Sequence, residues 1–319
     1  MEIKLPEINF VRYSSEHQKM WNDFVESSKN GTFLFDRAYM DYHSDRFEDF
    51  SLLIFRKEKL YCLLPANRKD EILFSHQGLT YGGLIMNEKC TAEGILEVFR
   101  ELLNYLRKEG FKKFIYKPIP HLYHKIPSEE DLYALFRNNA LLKVRNISST
   151  IYLQDAPPLF HDRKTARNKA LRNGIYIEES MDYGAFWEIL KDNLWRTYQA
   201  YPVHSLEEME QLRNSFPDNI KLYLAFLGNE PVAGCLIYLT STAVHAQYIS
   251  GTEKGKKSGG IDLLINHIMD TWRNKNNKLF FDLGTSNEDG GRFLNESLIY
   301  QKQGFGGRAI CYDTYELTL

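Results

Sequence analysis

The chain has 319 residues, a length that accommodates two domains or one large α/β domain. Hydrophobic residues make up 43% and charged residues 26%, which excludes a chain that is disordered throughout. Forty Lys and Arg stand against 42 Asp and Glu, so the net charge of -2 excludes an overall basic field that would attract DNA or an anionic membrane. Any polyanion must therefore bind to a local basic patch.

The composition also indicates the compartment. No C-x-x-C motif is present, which argues against a disulfide framework or a zinc knuckle and favours a reducing compartment; the cysteines are Cys62, Cys90, Cys235 and Cys311. Segment 1–7 lacks the features of a signal peptide, and no apolar run approaches the ~18 residues of a membrane span. His121 and His124 have no carboxylate or Cys partner at ligand spacing, so no metal site is predicted. We expect a cytoplasmic protein without a membrane span.

The first half of the chain predicts a hairpin, a helix and a strand. Residues 51–61 are an apolar strand that reaches a charged turn, as in a hairpin. After Gly82-Gly83, apolar residues at a 3.6-residue period predict a helix: Ile95, Leu96, Val98, Phe99, Leu102, Leu103 and Leu106. Residues 113–116 then form a nearly continuous apolar strand, which is typical of a sheet covered by helices.

A break between two units is predicted in the stretch 138–158, which ends in Asp-Ala-Pro-Pro. We place the boundary near 147, which gives units at 1–146 and 147–319. A helix is expected to start near Pro157 or Pro158, to carry five cations over 163–172 and to stop at Asn173-Gly174. These cations, Arg167 among them, either converge on a phosphate-bearing ligand or form a solvated face.

The second half repeats the order of the first. A helix over 182–199 carries a core-facing apolar stripe, and residues 222–239 predict a second hairpin. A second glycine pair, Gly259-Gly260, precedes a helix from Ile261, and residues 276–281 predict a turn and an apolar strand. This order indicates an internal duplication. The alternative is that an α/β chain contains these elements twice by chance.

A second basic stretch, 254–260, leads into the helix expected from Ile261. Glycines there let backbone N–H groups turn toward an anion, and the helix dipole favours negative charge. The predicted anion-binding residues are Lys256, Lys257, Ser258, Gly259 and Gly260. The stretch matches neither G-x-x-x-x-G-K-[ST] nor G-x-G-x-x-G, so a nucleotide P-loop or Rossmann site is not supported. A simple flexible turn is the alternative.

The most distinctive stretch is 280–306. It contains a strand ending in Asp282-Leu-Gly284, an Asn-bearing segment around Asn295, and a Lys-x-x-Phe-Gly turn that begins at Lys302. These motifs resemble the C-terminal half of the Fem-like aminoacyltransferases, which belong to the wider GNAT acyltransferase superfamily. The resemblance extends over residues 10–317, although its motifs are short.

The resemblance implies an α/β (α+β) fold of two tandem GNAT-like units, each a mixed, mostly antiparallel sheet flanked by helices. The first unit would be degenerate, with Gly78 to Gly83 at its glycine turn, and the second would carry the active site. The usual GNAT pyrophosphate pattern, Q/R-x-x-G-x-G/A, has no match in 252–262. The donor therefore stays open between acyl-CoA and aminoacyl-tRNA, neither of them a permanently bound cofactor.

The chemistry implied is attack of an amine on an activated acyl carbon, with the developing oxyanion held by backbone N–H groups of the strand at 247–249. Lys302 would stabilise charge, Asp282 would take the amine proton, and Tyr248 would protonate the leaving group. The substrate-binding residues expected are Gln247, His245, His204, Asn295, Arg167 and Tyr81. Each residue also has a structural alternative, such as a turn lysine, a loop-capping carboxylate or a buried sheet tyrosine.

The resulting hypothesis is a Fem-like GNAT acyltransferase that joins an acyl or aminoacyl group to an amine acceptor. That acceptor would be a small molecule or a sugar-nucleotide-linked amine, such as a cell-wall precursor, and charged tRNA is one donor considered. An acyl-CoA-dependent N-acetyltransferase is the alternative within the enzyme class. From a different class, the alternative is a catalytically silent binding or assembly module with the same fold.

Overall fold

A computed structural model describes residues 8–275 and 277–319. Segment 1–7, whose sequence argued against a signal peptide, and Asn276, part of the predicted turn, lie outside the described residues. The chain divides into two compact units. Unit 1 contains the described residues up to Asn146 together with Asp289–Arg292 and Cys311–Leu319, and unit 2 contains Ile147–Glu288 and Phe293–Ile310.

Unit 1 is built from four α-helices and two groups of strands among its described residues. The helices are α1 (Gln18–Ser27), α2 (Arg37–Met40), α3 (Ala92–Lys108) and α4 (Glu130–Arg137). The strands are β1 (Ile8–Arg12), β2 (Glu48–Asp49), β3 (Leu52–Arg56), β4 (Lys59–Leu64), β5 (Asn67–Lys69), β6 (Ile72–Phe74), β7 (Ile85–Met86) and β8 (Lys113–Tyr116). Short 3-10 turns lie at Ser15–His17, Phe33–Phe35, Asp41–His43 and His121–Tyr123.

The strands of unit 1 follow the predicted pattern. β3 and β4 form the hairpin expected at 51–61 and belong to an antiparallel sheet in the order β1-β3-β4-β7. β8 occupies the predicted range 113–116 and pairs in parallel with β6. The apolar face of α3, including Val98 and Phe99, packs into one core with these strands. The burial of these apolar side chains is the main source of the unit's stability.

Unit 2 starts from strand β9 (Leu141–Tyr152), whose second half lies in this unit. Its helices are α5 (His161–Arg172), α6 (Tyr183–Tyr198), α7 (Leu206–Ser215), α8 (Glu253–Ser258), α9 (Gly260–Lys275) and α10 (Glu296–Gly304). Its further strands are β10 (Ile175–Ser180), β11 (Ile220–Leu227), β12 (Glu230–Leu239), β13 (Ala243–Gly251), β14 (Phe280–Thr285), β15 (Asn287–Glu288), β16 (Phe293–Leu294) and the start of β17 (Arg308–Thr318). 3-10 turns lie at Leu153–Asp155 and Asp289–Gly291.

The main sheet of unit 2 has the strand order β10-β11-β12-β13-β14-β9. β10 to β13 pair antiparallel, β13 and β14 pair in parallel, and β14 pairs antiparallel with β9. Helices cover both faces of this sheet. On one face, Cys235 and Ile237 of β12 share a core with α9; on the other, Gly234 faces Phe186 of α6, and Tyr238 faces Met209 of α7. The predicted α/β fold class is confirmed.

Three local predictions need correction. The stretch 138–158, expected to be a break, contains the twelve-residue strand β9. The helix expected from Pro157 or Pro158 begins at His161, because Phe160 still has an extended backbone. Residues 253–258, expected to be a glycine-containing loop, form α8, which Thr252 caps by accepting a hydrogen bond from the Gly255 N–H. Of the helices described, none is both long and apolar enough to cross a membrane.

Candidate functional site

Strands β13 and β14 pair over only three residues and then part. The pairs are Ala243 with Phe280, Val244 with Phe281 and His245 with Asp282. β13 then contains a bulge at Gln247, since Leu236 of β12 lies opposite Tyr248 while the next residue, Ile237, lies opposite Ala246. A bulge bends the strand that carries it and redirects its N–H groups. The two strands therefore stop pairing just after His245 and Asp282, before residues 247–249.

Asp282 lies fully buried at this point and accepts several hydrogen bonds. Its Oδ1 accepts from the hydroxyls of Ser148 (2.5 Å) and Thr150 (3.0 Å) and from the Gly284 N–H (3.2 Å). Its Oδ2 lies 2.8 Å from Nδ1 of His245. Because this carboxylate is an acceptor in each of these bonds, Nδ1 of His245 is the donor, and the lone pair of the ring lies on Nε2. The imidazole is 13% exposed, so it is the accessible member of the pair.

Lys302, on α10, contacts the carboxyl end of β14. Its ammonium donates to the carbonyl oxygens of Gly284 (2.9 Å) and Thr285 (2.7 Å), the last two residues of that strand. Burial lowers the pKa of Lys302 from 10.5 to about 8, and the charge of Asp282 opposes this shift. The cation is thus held at the same strand end whose Gly284 N–H contacts Asp282.

Tyr248 and His204 form a second pair near the bulge. Nδ1 of His204 lies 2.8 Å from the Tyr248 hydroxyl, and the Trp187 ring packs edge-on against the Tyr248 ring with centroids 5.7 Å apart. Burial is the largest cause of the raised pKa of Tyr248, and the Glu208 carboxylate adds to it. A phenol with a raised pKa keeps its proton at neutral pH and is available as a donor.

The predicted site residues therefore fall into two groups near the end of the β13–β14 pairing. His245, Asp282 and Lys302 are linked through Gly284, while Gln247 and Tyr248 follow on the bulged strand with His204 bonded to Tyr248. The sequence reasoning missed the hydroxyls of Ser148 and Thr150. The sequence feature that could have identified them is the run of three hydroxyl residues, 148–150, between Ile147 and Ile151.

Three other predicted substrate-binding residues have different environments. Arg167 lies on α5, where it lines a groove of about 430 Å³ with Asn266 of α9. Asn295 caps α10, because its Oδ1 accepts from the Leu298 N–H at 3.1 Å. Tyr81 belongs to unit 1, is 2% exposed, and bonds through its hydroxyl to Thr32 at 3.2 Å. Tyr81 therefore packs in the interior of unit 1, and its part in substrate binding stays a prediction.

The predicted anion loop at 256–260 is also corrected. Ser258 is buried, and its hydroxyl donates to the Gly255 carbonyl at 3.1 Å as α8 ends. The φ angle of Gly259 is +84°, and a Cβ atom there would overlap the carbonyl oxygen of Ala166 on α5. This glycine is required by the close approach of α5, and Gly260 already starts α9.

The two lysines of this stretch have partners on the protein. Lys256 bonds to the Asn193 side chain, and Lys257 lies 3.7 Å from Glu253. Across residues 8–275 and 277–319, no cluster of three or more His, Cys, Asp or Glu side chains is arranged to hold a metal ion.

Comparison with solved structures identifies the architecture. The chain superposes on FemX with a TM-score of 0.68 at 10% identity, covering 98% of this chain and 97% of FemX. It superposes on L-PGS from Bacillus licheniformis with a TM-score of 0.60 at 11% identity, covering 95% and 90%. A tandem GNAT protein from the clavulanic acid biosynthesis pathway gives 0.52 at 10% identity, covering 98% of each chain.

These similarities confirm the predicted resemblance at the level of the fold, which is that of Fem-like and tandem GNAT proteins. No protein-family model matches the sequence, and a comparison with curated proteins finds no match.

Proposed function

We propose that this protein is an acyltransferase of the Fem-like GNAT type, which joins an acyl or aminoacyl group to an amine acceptor. The observation that carries the proposal is the His245–Asp282 pair, 2.8 Å apart, at the point where β13 and β14 stop pairing. A general base fixed by a carboxylate beside a bulged strand suits attack by an amine on an activated carbonyl. The shared fold with FemX and a tandem GNAT protein supports the same class.

In the proposed reaction, the amine nitrogen attacks the acyl carbon and forms the new C–N bond. Nε2 of His245 takes the proton that the amine releases, while Asp282 holds Nδ1–H and stabilises the imidazolium. The carbonyl oxygen gains negative charge, which backbone N–H groups at the Gln247 bulge would stabilise. Collapse of the intermediate breaks the C–S or C–O bond to the donor.

Tyr248 and Lys302 are assigned to the charges that develop. The leaving thiolate or alkoxide takes a proton from the Tyr248 hydroxyl, whose raised pKa keeps it protonated before the reaction. His204, 2.8 Å away, orients that hydroxyl. Lys302 supplies a buried positive charge at the carboxyl end of β14, which favours the oxyanion.

The donor we propose is an aminoacyl-tRNA or an acyl-CoA, and the acceptor a small-molecule or sugar-nucleotide-linked amine, such as a cell-wall precursor. The cations of α5 are basic groups of unit 2 that suit an anionic donor. The same succession of antiparallel strands, long helix, strand and short helix occurs in both units. We therefore propose that the chain arose by duplication. The spacing of the cysteines, which form no C-x-x-C motif, supports the separate proposal that the protein acts in the cytoplasm.

The test is transfer by the purified full chain. The protein is incubated with a panel of amines and either acetyl-CoA or charged tRNA, and the amine is examined by mass for a transferred group. We expect transfer with one donor class and its loss in His245→Gln, while His161→Gln, an exposed histidine on α5, retains activity. Transfer from CoA alone contradicts the tRNA donor, and equal activity of the two variants contradicts the assigned base.

A catalytically silent binding module is the second candidate. The observation that favours it is α8, a helix in the position where the glycine loop was expected. This candidate predicts no transfer from either donor by wild-type protein, together with unchanged ligand binding by Lys302→Ala. Any transfer that depends on His245 excludes it.

A further inference from the structure

The loop between α6 and α7 exposes a group of aromatic side chains. Trp195 and Tyr198, in the last turn of α6, are 51% and 53% exposed, and Tyr201 in the loop is 69% exposed. We call these three residues the aromatic shelf. The rings of Trp195 and Tyr201 lie with centroids 5.3 Å apart and planes tilted by 31°, so the loop folds back over the end of the helix. Large aromatic side chains grouped on a surface commonly mark a binding site.

The shelf adjoins the proposed acyl-transfer site. His204 lies three residues beyond Tyr201, is 7% exposed, and contacts the Tyr248 hydroxyl at 2.8 Å. Tyr248 directly follows the bulge residue Gln247. Because three residues of chain span at most about 11 Å, a group held at Tyr201 lies within that distance of the His204 backbone.

Both ends of the shelf loop are fixed. Gln199 ends α6 in the left-handed conformation, with φ at +51°. At the other end Ser205 and Glu208 form a capping box, in which the Ser205 N–H donates to the Glu208 carboxylate at 2.8 Å. The aromatic faces are thus presented by a loop of defined conformation, which reduces the entropy lost when a ligand binds.

Charge indicates which ligand the shelf accepts. Residues 182–215, which span both helices and the loop, contain six acidic and three basic residues. Two of the bases lie beside acids of their own helix, as in the Arg196–Asp192 pair at 2.7 Å. Glu208 is close enough to Tyr248 to contribute to its raised pKa. Lys256 of α8, which bonds to Asn193 on α6, adds a fourth base, and the acids still outnumber the bases. The charge around the shelf therefore opposes an anion and favours a cation.

We propose that the aromatic shelf binds the acceptor through a protonated alkylamine, held over the faces of Trp195 and Tyr201. Tryptophan is the strongest of the aromatic side chains for cations, and acidic neighbours strengthen the attraction. The inference rests on the proposed function, because it identifies the acceptor class as an alkylammonium compound. It places acceptor selection in α6 and the loop after it.

The experiment measures binding to the full chain in the absence of any acyl donor. Three probes with the same carbon chain are titrated by ligand-observed NMR: n-hexylammonium, n-hexanol and n-hexanoate. We expect n-hexylammonium to bind most tightly and n-hexanoate most weakly. Trp195→Ala should raise the Kd for n-hexylammonium about fivefold, with a smaller effect on n-hexanol.

Two further variants keep this test independent of folding. Tyr201→Phe keeps the aromatic face and should bind nearly as wild type, whereas Tyr201→Ala should weaken binding. The matched control is Tyr176→Ala, since Tyr176 is 46% exposed and stacks on Phe226 at 5.4 Å on β10 and β11. Thermal unfolding of each variant establishes that it is folded.

Several outcomes would overturn the inference. If n-hexanol and n-hexylammonium bind with equal Kd, the shelf is only an apolar surface. If n-hexanoate binds most tightly, the shelf prefers anions, which contradicts the inference. Failure of all three probes to bind, or an unchanged Kd in both Trp195→Ala and Tyr201→Ala, also refutes it. Because no donor is present, these results are independent of the transfer assay, and each hypothesis can fail without the other.

Discussion

His245 and Asp282 are the last two residues paired between the parallel strands β13 and β14, and their side chains contact each other through Nδ1 and Oδ2 at 2.8 Å. Burying a carboxylate costs free energy unless several hydrogen-bond donors surround it. Here Ser148, Thr150 and Gly284 supply those donors. The arrangement fixes one tautomer and one orientation of the imidazole.

Replacing His245 should affect catalysis more than folding. His245→Gln keeps a polar side chain on β13 but removes the base, so we expect the single-turnover transfer rate to fall about 10²- to 10⁴-fold. The free energy of unfolding should change much less than in a core substitution. Rapid-mixing transfer assays and denaturant unfolding measure the two effects, with His161→Gln as control. A rate within twofold of wild type would refute the role assigned to His245.

Replacing Asp282 should also cost stability. In Asp282→Asn an NH₂ group replaces one of the two carboxylate oxygens. The groups around it already donate hydrogen bonds, so at least one buried donor loses its acceptor. We expect a loss of roughly 1–3 kcal/mol in the free energy of unfolding. The control is Asp23→Asn, whose partner Lys19 is exposed and whose loss should cost less than about 1 kcal/mol. Equal costs for the two variants would contradict a tightly satisfied carboxylate.

Lys302 should give stability a distinct pH dependence. Its pKa falls from 10.5 to about 8 on folding, so between these values the unfolded chain binds more protons than the folded one. The contribution of Lys302 to the free energy of unfolding therefore rises with pH across this window, and below about pH 8 it does not change with pH. Relative to wild type, Lys302→Met should lose up to about 3 kcal/mol of stability as the pH rises from about 8 to 10.5.

Lys117 provides the matched control for this measurement. Burial lowers its pKa to about 8 as well, but it lies in unit 1 and donates to the Leu79 carbonyl. Lys117→Met should show the same pH trend without loss of transfer activity. Denaturant unfolding at a series of pH values tests both variants, and a pH-independent difference between Lys302→Met and wild type would be evidence against a buried, shifted ammonium.

Gly259 should not tolerate a side chain. In Gly259→Ala the new Cβ meets the Ala166 carbonyl oxygen, and the residue must also keep a φ of +84°. Gly174→Ala is the control, because its φ is +75° but nothing lies within 4 Å of its Cβ position. The left-handed backbone alone costs about 1–2 kcal/mol, so we expect a larger loss at 259 than at 174. If Gly259→Ala and Gly174→Ala lose the same stability in thermal unfolding, the approach of α5 does not constrain Gly259, and it is an ordinary turn residue.

Much of the fold follows from local sequence pattern. Two apolar runs on either side of the turn at 227–231 predict the hairpin of β11 and β12, and a core-facing apolar stripe predicts α6 at 182–199, where the structure has Tyr183–Tyr198. The α8 helix was missed because Gly255 and Gly259 suggested a turn. The Thr252 cap and the close packing of Gly255 against the Val232 carbonyl stabilise α8 despite the low helix propensity of Gly255, and Gly259 ends the helix in the left-handed conformation.

Less of the candidate site than of the fold can be predicted from the sequence. Asp282 and Lys302 were identified from a short motif, but the contact between His245 and Asp282 depends on the register of two parallel strands separated by α9. The Ser148 and Thr150 contacts depend on β9, which was expected to be a break. The Asp-Ala-Pro-Pro sequence at the end of this stretch favoured a break, whereas the pairing of β9 with β14 that stabilises the strand is a long-range interaction.

The final strand has a consequence for synthesis of the chain. Residues 311–319 belong to unit 1, where Tyr315 to Thr318 pair with β8 at 113–116. On the ribosome, β8 emerges about 200 residues before the strand that hydrogen-bonds to it, and such distant contacts form late. The edge of β8 that pairs with β17 therefore stays unpaired while unit 2 is synthesised, and unpaired strands can aggregate or recruit chaperones. Unit 1 is completed only after the chain of unit 2 has been made.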